Sequence, residues 1–201
     1  MGVQDTGCLW RVPAGHGLIR EYDGRCTYHS DWAFVAPNFR MREFNPAGVR
    51  PYGVMRKLVD QLQRMRWALG APIIITSGYR SGTTHGSGLA ADISVPARTF
   101  IQVAQAAYNA GFRRIEVIKR PGTSYWNKMS VGGHIHVDVY DGSGNTTRGT
   151  IYDCPSCASI PCFPWYAWGY GSVWSTSQPN TFSQLMTNLR ADRSVTGYRG
   201  C

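Results

Sequence analysis

The run His134–Val139 (HIHVDV) alternates polar side chains with branched apolar ones. In a β-strand, successive side chains point to opposite faces of the sheet, so a strand here places His134, His136 and Asp138 together on one face. The apolar side chains on the other face need a hydrophobic core to cover them. The run therefore predicts a β-sheet that has a buried core on one side and a polar site on the other.

A second run, residues 84–93 (THGSGLAADI), predicts another part of the same site. If its second half is a strand, Asp92 shares a face with small side chains, which leaves room for a bulky group in front of the carboxylate. Gly86 and Gly88 allow the backbone to turn sharply, so that His85 can reach the same group. Two such polar faces in one sheet would form a pocket lined by imidazoles and carboxylates.

This combination of side chains is typical of a zinc site. The two runs hold three of the five histidines and two of the twelve carboxylates of the chain. Zinc accepts imidazole nitrogen and carboxylate oxygen, and a catalytic zinc keeps a fourth position open for water or substrate. The alternative is that these side chains are hydrogen-bonded strand residues without a metal. Because so many of them fall within two short runs, the sequence favours zinc.

The regular patterns of the chain lie in residues 38–141. Apolar residues recur at helical spacing from Tyr52 to Leu69, where Gly70 ends the pattern, and residues 98–109 predict a second helix. Strands are predicted at residues 72–77, 89–95, 113–118 and 134–140. Helices beside short strands with long connections indicate an α+β fold, a small antiparallel sheet with flanking helices.

The two ends of the chain differ from this middle part in composition and sequence pattern. Residues 1–37 contain glycine, proline and aromatic residues without a clear period, and we interpret them as an irregular N-terminal arm. Residues 142–201 form a C-terminal extension rich in cysteine, tryptophan and glycine. Its aromatic residues either pack over the domain or form a surface that contacts a sugar or a protein. They are Trp165, Trp168, Tyr170 and Trp174.

Three motifs in the middle part occur in the order found in a known family. They are SGYRS (77–81), HGSGLAAD (85–92) and HVD (136–138). As a set they resemble the zinc D-alanyl-D-alanine carboxypeptidase and L-alanyl-D-glutamate endopeptidase family, whose core is shared with the hedgehog signalling domain. The segment NFRMREF (38–44) is similar to the opening of the same domain. The resemblance covers residues 38–141 and neither end of the chain.

The resemblance implies a set of site residues. It assigns a zinc ion to His85, Asp92 and His136. It also implies that Arg80 binds a substrate carboxylate or polarises the scissile carbonyl, which suits a side chain with a permanent charge and a planar fork of donors. Ser77 and Tyr79, in the same motif, are the other predicted substrate-binding residues.

The motifs do not identify the residue that transfers protons in the reaction. Members of the family have a glutamate or aspartate a few residues before the second histidine, and KMSVGGHI (128–135) contains no carboxylate. We rank His134 first, because it shares a strand face with His136 and because histidine ordinarily titrates near neutral pH. Asp138 shares that face too, but it can instead orient an imidazole. Glu116 depends on strand pairing that the sequence does not show.

The six cysteines favour disulfides, since an even number is typical of an oxidising compartment. We predict that Cys8 pairs with Cys26 and that the other four cysteines pair among themselves. The alternative for those four is a second, structural metal site, because C-x-x-C is half of a zinc knuckle. They are Cys154, Cys157, Cys162 and Cys201.

Charge and targeting signals restrict the partners. The formal net charge of +9 favours an anionic partner, and no run of lysine or arginine concentrates the charge as a nucleic-acid site would. The start of the chain lacks the pattern of a secretory signal peptide, and no apolar stretch is long enough to span a membrane. An anionic cell wall is therefore the favoured partner.

These observations lead to three hypotheses for the function. The first is a zinc peptidase that cuts peptide stems or cross-links of bacterial peptidoglycan. It would be a phage lysin released from the host cytoplasm or a wall-opening protein carried in the virion. The second is a structural phage tail or baseplate component whose peptidase-like domain binds other tail proteins rather than cleaving. The third is a hedgehog-like domain that binds metal without turnover.

Overall fold

A six-stranded antiparallel sheet forms the centre of the structure. The structure is a computed structural model that describes residues 2–3, 7–80, 84–118, 126–129, 133–139, 151–152, 165–169 and 182–191. Numbered along the chain, the strands lie across the sheet in the order β10 (Ile151–Tyr152), β11 (Trp165–Gly169), β8 (Arg114–Ile118), β9 (His134–Asp138), β7 (Ala90–Ser94) and β6 (Ile74–Ser77). The predicted α+β fold with a small antiparallel sheet is confirmed.

Two helices accompany the sheet within the middle part of the chain. Helix α1 (Arg56–Leu69) ends at Gly70, which adopts the left-handed conformation with φ of 57°, as the glycine predicts. Helix α2 (Phe100–Asn109) packs on β8 and β9. It begins with a capping box, in which the Thr99 side chain accepts a hydrogen bond from the Gln102 backbone N–H and the Gln102 side chain accepts one from the Thr99 backbone N–H. Both helices contribute to one hydrophobic core with the apolar face of the sheet.

The N-terminal part of the chain is folded, which corrects its interpretation as an irregular arm. Strands β1 (His16–Arg20) and β2 (Cys26–Ser30) form a hairpin, and β5 (Gly53–Met55) pairs in parallel with β1. Two short strands between them, β3 (Phe34–Ala36) and β4 (Phe39–Arg40), pair with each other. Leu18 and Ile19 on β1 are fully buried, so this small sheet shares the core. The predicted first helix accordingly begins at residue 56 rather than 52.

A half-buried ion pair joins this N-terminal part of the chain to helix α1. The Arg56 guanidinium donates to both carboxylate oxygens of Glu21, at 2.8 and 3.0 Å, and to the Val35 carbonyl oxygen at 2.8 Å. The hydrogen bond from Arg56 outweighs the effect of burial and holds the pKa of Glu21 below its ordinary value. The first turn of α1 is therefore fixed to strands that precede it by more than twenty residues.

The predicted disulfide between Cys8 and Cys26 is present. It attaches the segment before β1 to the first residue of β2. The other four cysteines lie outside the described residues, and their predicted pairing stays a prediction.

Removing this disulfide is expected to lower the free energy of unfolding. The bridge closes a loop with a sequence separation of 18 residues, and the chain-entropy model gives about 3 kcal/mol for a loop of that size. Denaturant unfolding of the Cys8→Ser/Cys26→Ser double variant, compared with the unaltered protein, measures the loss. An unchanged free energy of unfolding would show that the bridge does not constrain the unfolded chain.

The C-terminal extension adds to the central sheet and core. Strand β11 pairs with β8 along its full length, and β10 pairs with β11. In helix α3 (Phe182–Ala191), Phe182 stacks on Tyr108 with ring centroids 4.0 Å apart, and Met186 and Leu189 are buried. Within the described part of the chain, no helix combines the length and the apolar character that crossing a bilayer requires.

Candidate metal centre

The pairing of three strands brings the predicted site residues into one row. Asp92 on β7 and Glu116 on β8 both lie directly opposite His136 on the central strand β9. Ile135 and Val137, on the other face of β9, are fully buried in the core. The strand therefore has the two faces that its alternating sequence predicts.

His85, Asp92 and His136 converge on one point. His85 Nε2 lies 3.2 Å from His136 Nδ1, and the Asp92 Oδ1 atom lies 2.8 Å from His136 Nδ1 and 3.4 Å from His85 Nε2. A tetrahedral zinc with bonds of about 2.0–2.1 Å separates its ligand atoms by roughly 3.3 Å. The three atoms therefore form a triangle close in size to one face of a zinc tetrahedron, and all three residues are buried.

The orientation of His85 is set by a backbone carbonyl group. Its Nδ1–H donates to the Gly78 oxygen at 2.8 Å, which directs Nε2 at the other two ligands. Gly78 itself lies against the Phe44 carbonyl group, so closely that a Cβ atom would overlap the oxygen. The sequence alone predicts no role for Gly78. Its only signal was a glycine inside the SGYRS motif.

The loop that carries His85 is held from three directions. Gly88 has a φ of 70°, and its N–H donates to the His85 oxygen at 2.9 Å, which closes the turn. Met55 donates to the Gly88 oxygen and Val3 donates to the Ser87 oxygen, each at 2.9 Å. Gly88 thus has the predicted conformational role, whereas Gly86 does not adopt a positive φ.

Opposite charges stabilise each other within the triangle. Burial raises the pKa of Asp92, but hydrogen bonds from His136 and His85 outweigh it and hold that pKa well below its ordinary value. Burial lowers the pKa of His136, but the hydrogen bond to Asp92 and the negative charges of Glu116, Asp92 and Asp138 outweigh it and raise that pKa. The metal-free site therefore contains a carboxylate and an imidazole that retains its proton more strongly than usual.

Zinc affinity is consequently expected to increase with pH. The Nδ1 atom of His136 cannot bind zinc while it carries a proton. Because the pKa of His136 is raised above its ordinary value of 6.5, this competition between proton and zinc extends to pH values above 6.5. Apparent affinity should rise by up to about tenfold per pH unit and level off once the pH exceeds the pKa of His136. Asp92, already ionised, adds nothing to this slope near neutral pH. Chelator-competition titrations from about pH 6 to about pH 9 measure it, and a flat profile would contradict it.

The three predicted substrate-binding residues occupy different environments. Arg80 is half exposed beside the triangle, with one guanidinium nitrogen 3.5 Å from Asp92 Oδ2. Ser77 is half-buried and pairs with Asp92 across β6 and β7. Tyr79 is only 7% exposed and belongs to the hydrophobic core, a position that argues against a substrate contact. Arg80 is therefore best placed to meet a substrate.

The three candidates for proton transfer share the polar face but differ in exposure. His134 is half-buried, two residues before His136 on the same face of β9. Glu116 is 7% exposed and forms an ion pair with Arg114. Asp138 is 1% exposed at the far end of the strand. Among the three, His134 has the most contact with solvent.

Comparison with known proteins places this site within one family. The sequence model of the peptidase M15 family matches residues 37–138, slightly more than half of the chain. No curated protein and no solved structure matches it significantly. The matched range contains the three converging ligands and Arg80, whereas β1, β2, β10, β11 and α3 lie outside it.

Proposed function

The chain belongs to the peptidase M15 family, and on that premise we propose that it hydrolyses peptide bonds in the stems or cross-links of bacterial peptidoglycan. The single observation that carries the proposal is the triangle of His85, Asp92 and His136, with Arg80 beside it. The net charge of +9 supports an anionic polymer as the substrate.

Peptidases of this family are zinc-dependent, and the donor set fits the metal. His85, Asp92 and His136 would hold the ion with two imidazole nitrogens and one carboxylate oxygen. Zinc bound there supplies Lewis acidity, which polarises a carbonyl group and makes water more acidic. The chain's own residues then have to hold the substrate and move protons.

Arg80 is suited to holding the substrate. Its guanidinium is half exposed and lies next to the metal ligands, so its outward donors can bind a substrate carboxylate or the carbonyl oxygen of the bond to be cut. Its attraction to Asp92 keeps the side chain at this edge of the site. Peptide stems that carry carboxylates match such a group.

Replacing Arg80 with alanine is expected to lower kcat/KM by roughly 10- to 100-fold while zinc stays bound, because a charge-assisted hydrogen bond to the substrate is lost. Arg80→Lys should recover only part of the loss, since an ammonium group cannot make the paired contacts of the fork. Arg64→Ala, an exposed arginine on α1, is the matched control. Equal kcat/KM for Arg80→Ala and Arg64→Ala would show that Arg80 does not hold the substrate.

The proposed activity is tested by incubating the full-length protein with purified peptidoglycan, with and without a chelator, and identifying new chain ends by mass spectrometry. New amino groups that disappear with the chelator and return with added zinc are the expected result. Intact peptidoglycan in the presence of a stoichiometrically zinc-loaded protein would overturn the proposal.

The biological setting that we propose is a phage. The protein would act at the cell wall, either as a lysin released from the host cytoplasm or as a component of the virion that opens the wall. A second candidate function is a tail or baseplate component that binds rather than cleaves. The strands and helix outside the family match favour it, because they enlarge the domain on both sides. A zinc-loaded protein that binds tail proteins and cuts no wall peptide would support this second candidate.

A further inference from the structure

A groove lies along the edge strand of the central sheet, between the turn that follows strand β4 (Phe39–Arg40) and the beginning of β6. Its volume is about 640 Å³, within the range of ligand sites. The groove is lined on one side by residues of the N-terminal part and on the other by the edge strand. The residues that matter here are Trp32, Arg42, Arg66 and Ile74.

The groove and the metal ligands lie on the same face of the central sheet. Ile74, which is 50% exposed, pairs with Ser94. Ile75 pairs with Ile93, and Ser77 pairs with Asp92 after a shift in the register. Ser94 and Asp92 are two residues apart on β7, so they point to the same face about 7 Å apart. A substrate that reaches the metal ligands can therefore extend along this face into the groove.

Trp32 forms a fixed aromatic surface at the groove. Its backbone is held on both sides, because Arg42 N–H donates to the Asp31 oxygen at 2.9 Å and the Arg40 side chain donates to the Trp32 oxygen at 2.7 Å. The Arg42 guanidinium lies 3.9 Å from the centre of the indole ring. The ring nevertheless stays 61% exposed. A large aromatic side chain is thus held in place and still open to a ligand.

Arg42 and Arg66 outnumber Glu43 among the charged residues that line the groove once Asp31 is paired with Arg50. The Asp31 carboxylate is occupied by Arg50 and Tyr52, and Glu43 accepts from the Arg40 backbone N–H. Within the part of the chain that the structure describes, no carboxylate forms an ion pair with Arg42 or Arg66. Their donors remain available to oxygen atoms of a ligand.

We propose that this groove binds the glycan strand of peptidoglycan beside the peptide that is cut. The apolar face of an amino-sugar ring would stack on Trp32, and Arg42 and Arg66 would donate to its carbonyl and hydroxyl oxygens. The inference rests on the proposed function, because it supplies the sugar part of the same substrate. Trp32, which follows β2, lies outside the family match, whereas Arg42 and Arg66 lie within it, so the N-terminal part of this chain adds the stacking surface of the subsite.

The test compares two soluble substrates, a wall peptide with its disaccharide attached and the same peptide without it. The unaltered zinc-loaded protein should have a kcat/KM ratio of roughly tenfold in favour of the sugar-bearing substrate, and Trp32→Ala should bring that ratio close to one. Trp67→Ala is the matched control, since Trp67 is 63% exposed on α1 and does not line the groove. Circular dichroism checks that each variant is folded.

A binding measurement separates this inference from the proposed function. The unaltered and Trp67→Ala proteins should co-sediment with glycan strands stripped of their peptides. The affinity of Trp32→Ala for the same strands should be roughly tenfold lower. If neither peptide substrate is cut, the proposed function fails and co-sedimentation still decides the role of the groove. Absence of binding to stripped glycan, a ratio near one for the unaltered protein, or the same ratio in Trp32→Ala would overturn the sugar subsite.

Discussion

Replacing His136 with alanine is expected to abolish stoichiometric zinc binding and to lower turnover on peptidoglycan by at least roughly a thousandfold. The substitution removes Nδ1, which lies 3.2 Å from His85 Nε2 and 2.8 Å from Asp92 Oδ1, so only two of the three ligand atoms remain. A catalytic metal contributes several kcal/mol of transition-state stabilisation, which corresponds to a loss of this size. Elemental analysis of the purified protein and initial rates of peptide release measure the two effects.

Two further variants make this result specific. His16→Ala removes a histidine on β1, outside the metal centre, and should keep both zinc and turnover. Asp92→Asn preserves the shape of the third ligand but removes its charge, and it should lose zinc as His136→Ala does. If His136→Ala is folded and still contains one zinc per chain, the assignment of the ligands is wrong.

The polar face of the sheet could be predicted from the sequence because its cause is local. Strand geometry alone places His136 and Asp92 on faces opposite to branched apolar residues, and the buried Ile135 and Val137 confirm this. Helix α1 was equally clear from its apolar spacing and from Gly70. Such features depend on neighbours in the chain.

Contacts between distant segments could not be predicted in the same way. Glu116 lies opposite His136 only because β8 pairs with β9, and no local pattern sets that register. The Arg56–Glu21 ion pair joins residues 35 positions apart, and from its spacing alone Arg56 belongs to the solvated face of α1. Gly78 is required by the Phe44 carbonyl group, which also comes from a separate segment.

The N-terminal strands could not be predicted from the sequence for a different reason. Strands β1 and β2 are five residues each and contain glycine, histidine and cysteine, so neither has a clean alternation of polar and apolar residues. Their pairing is stabilised by the disulfide and by burial of Leu18 and Ile19. The exposed Trp32 beside them has no sequence signal, because an exposed tryptophan becomes meaningful only when a groove lies next to it.

Replacing His134 with alanine is expected to lower turnover by roughly 100-fold or more while zinc stays bound, the usual loss when a general acid–base group is removed. Peptide hydrolysis needs a group that takes a proton from water and passes it to the leaving amine. His134 lies on the polar face of β9, about 7 Å along the strand from His136, and it is half-buried rather than enclosed. It can therefore exchange protons with solvent between turnovers, and histidine ordinarily titrates near neutral pH.

The two carboxylates provide the comparison that decides the assignment. Asp138 is 1% exposed, which favours a role in fixing an imidazole over repeated proton exchange with solvent, and Glu116 is paired with Arg114. Asp138→Asn and Glu116→Gln should therefore lose less turnover than His134→Ala when all three variants contain equal zinc. His134→Gln, which keeps a hydrogen-bonding side chain but cannot carry a proton in this pH range, should be as impaired as His134→Ala. If either His134 variant keeps full turnover while Glu116→Gln loses it, proton transfer belongs to Glu116, which lies opposite His136. If only Asp138→Asn loses turnover, proton transfer belongs to Asp138.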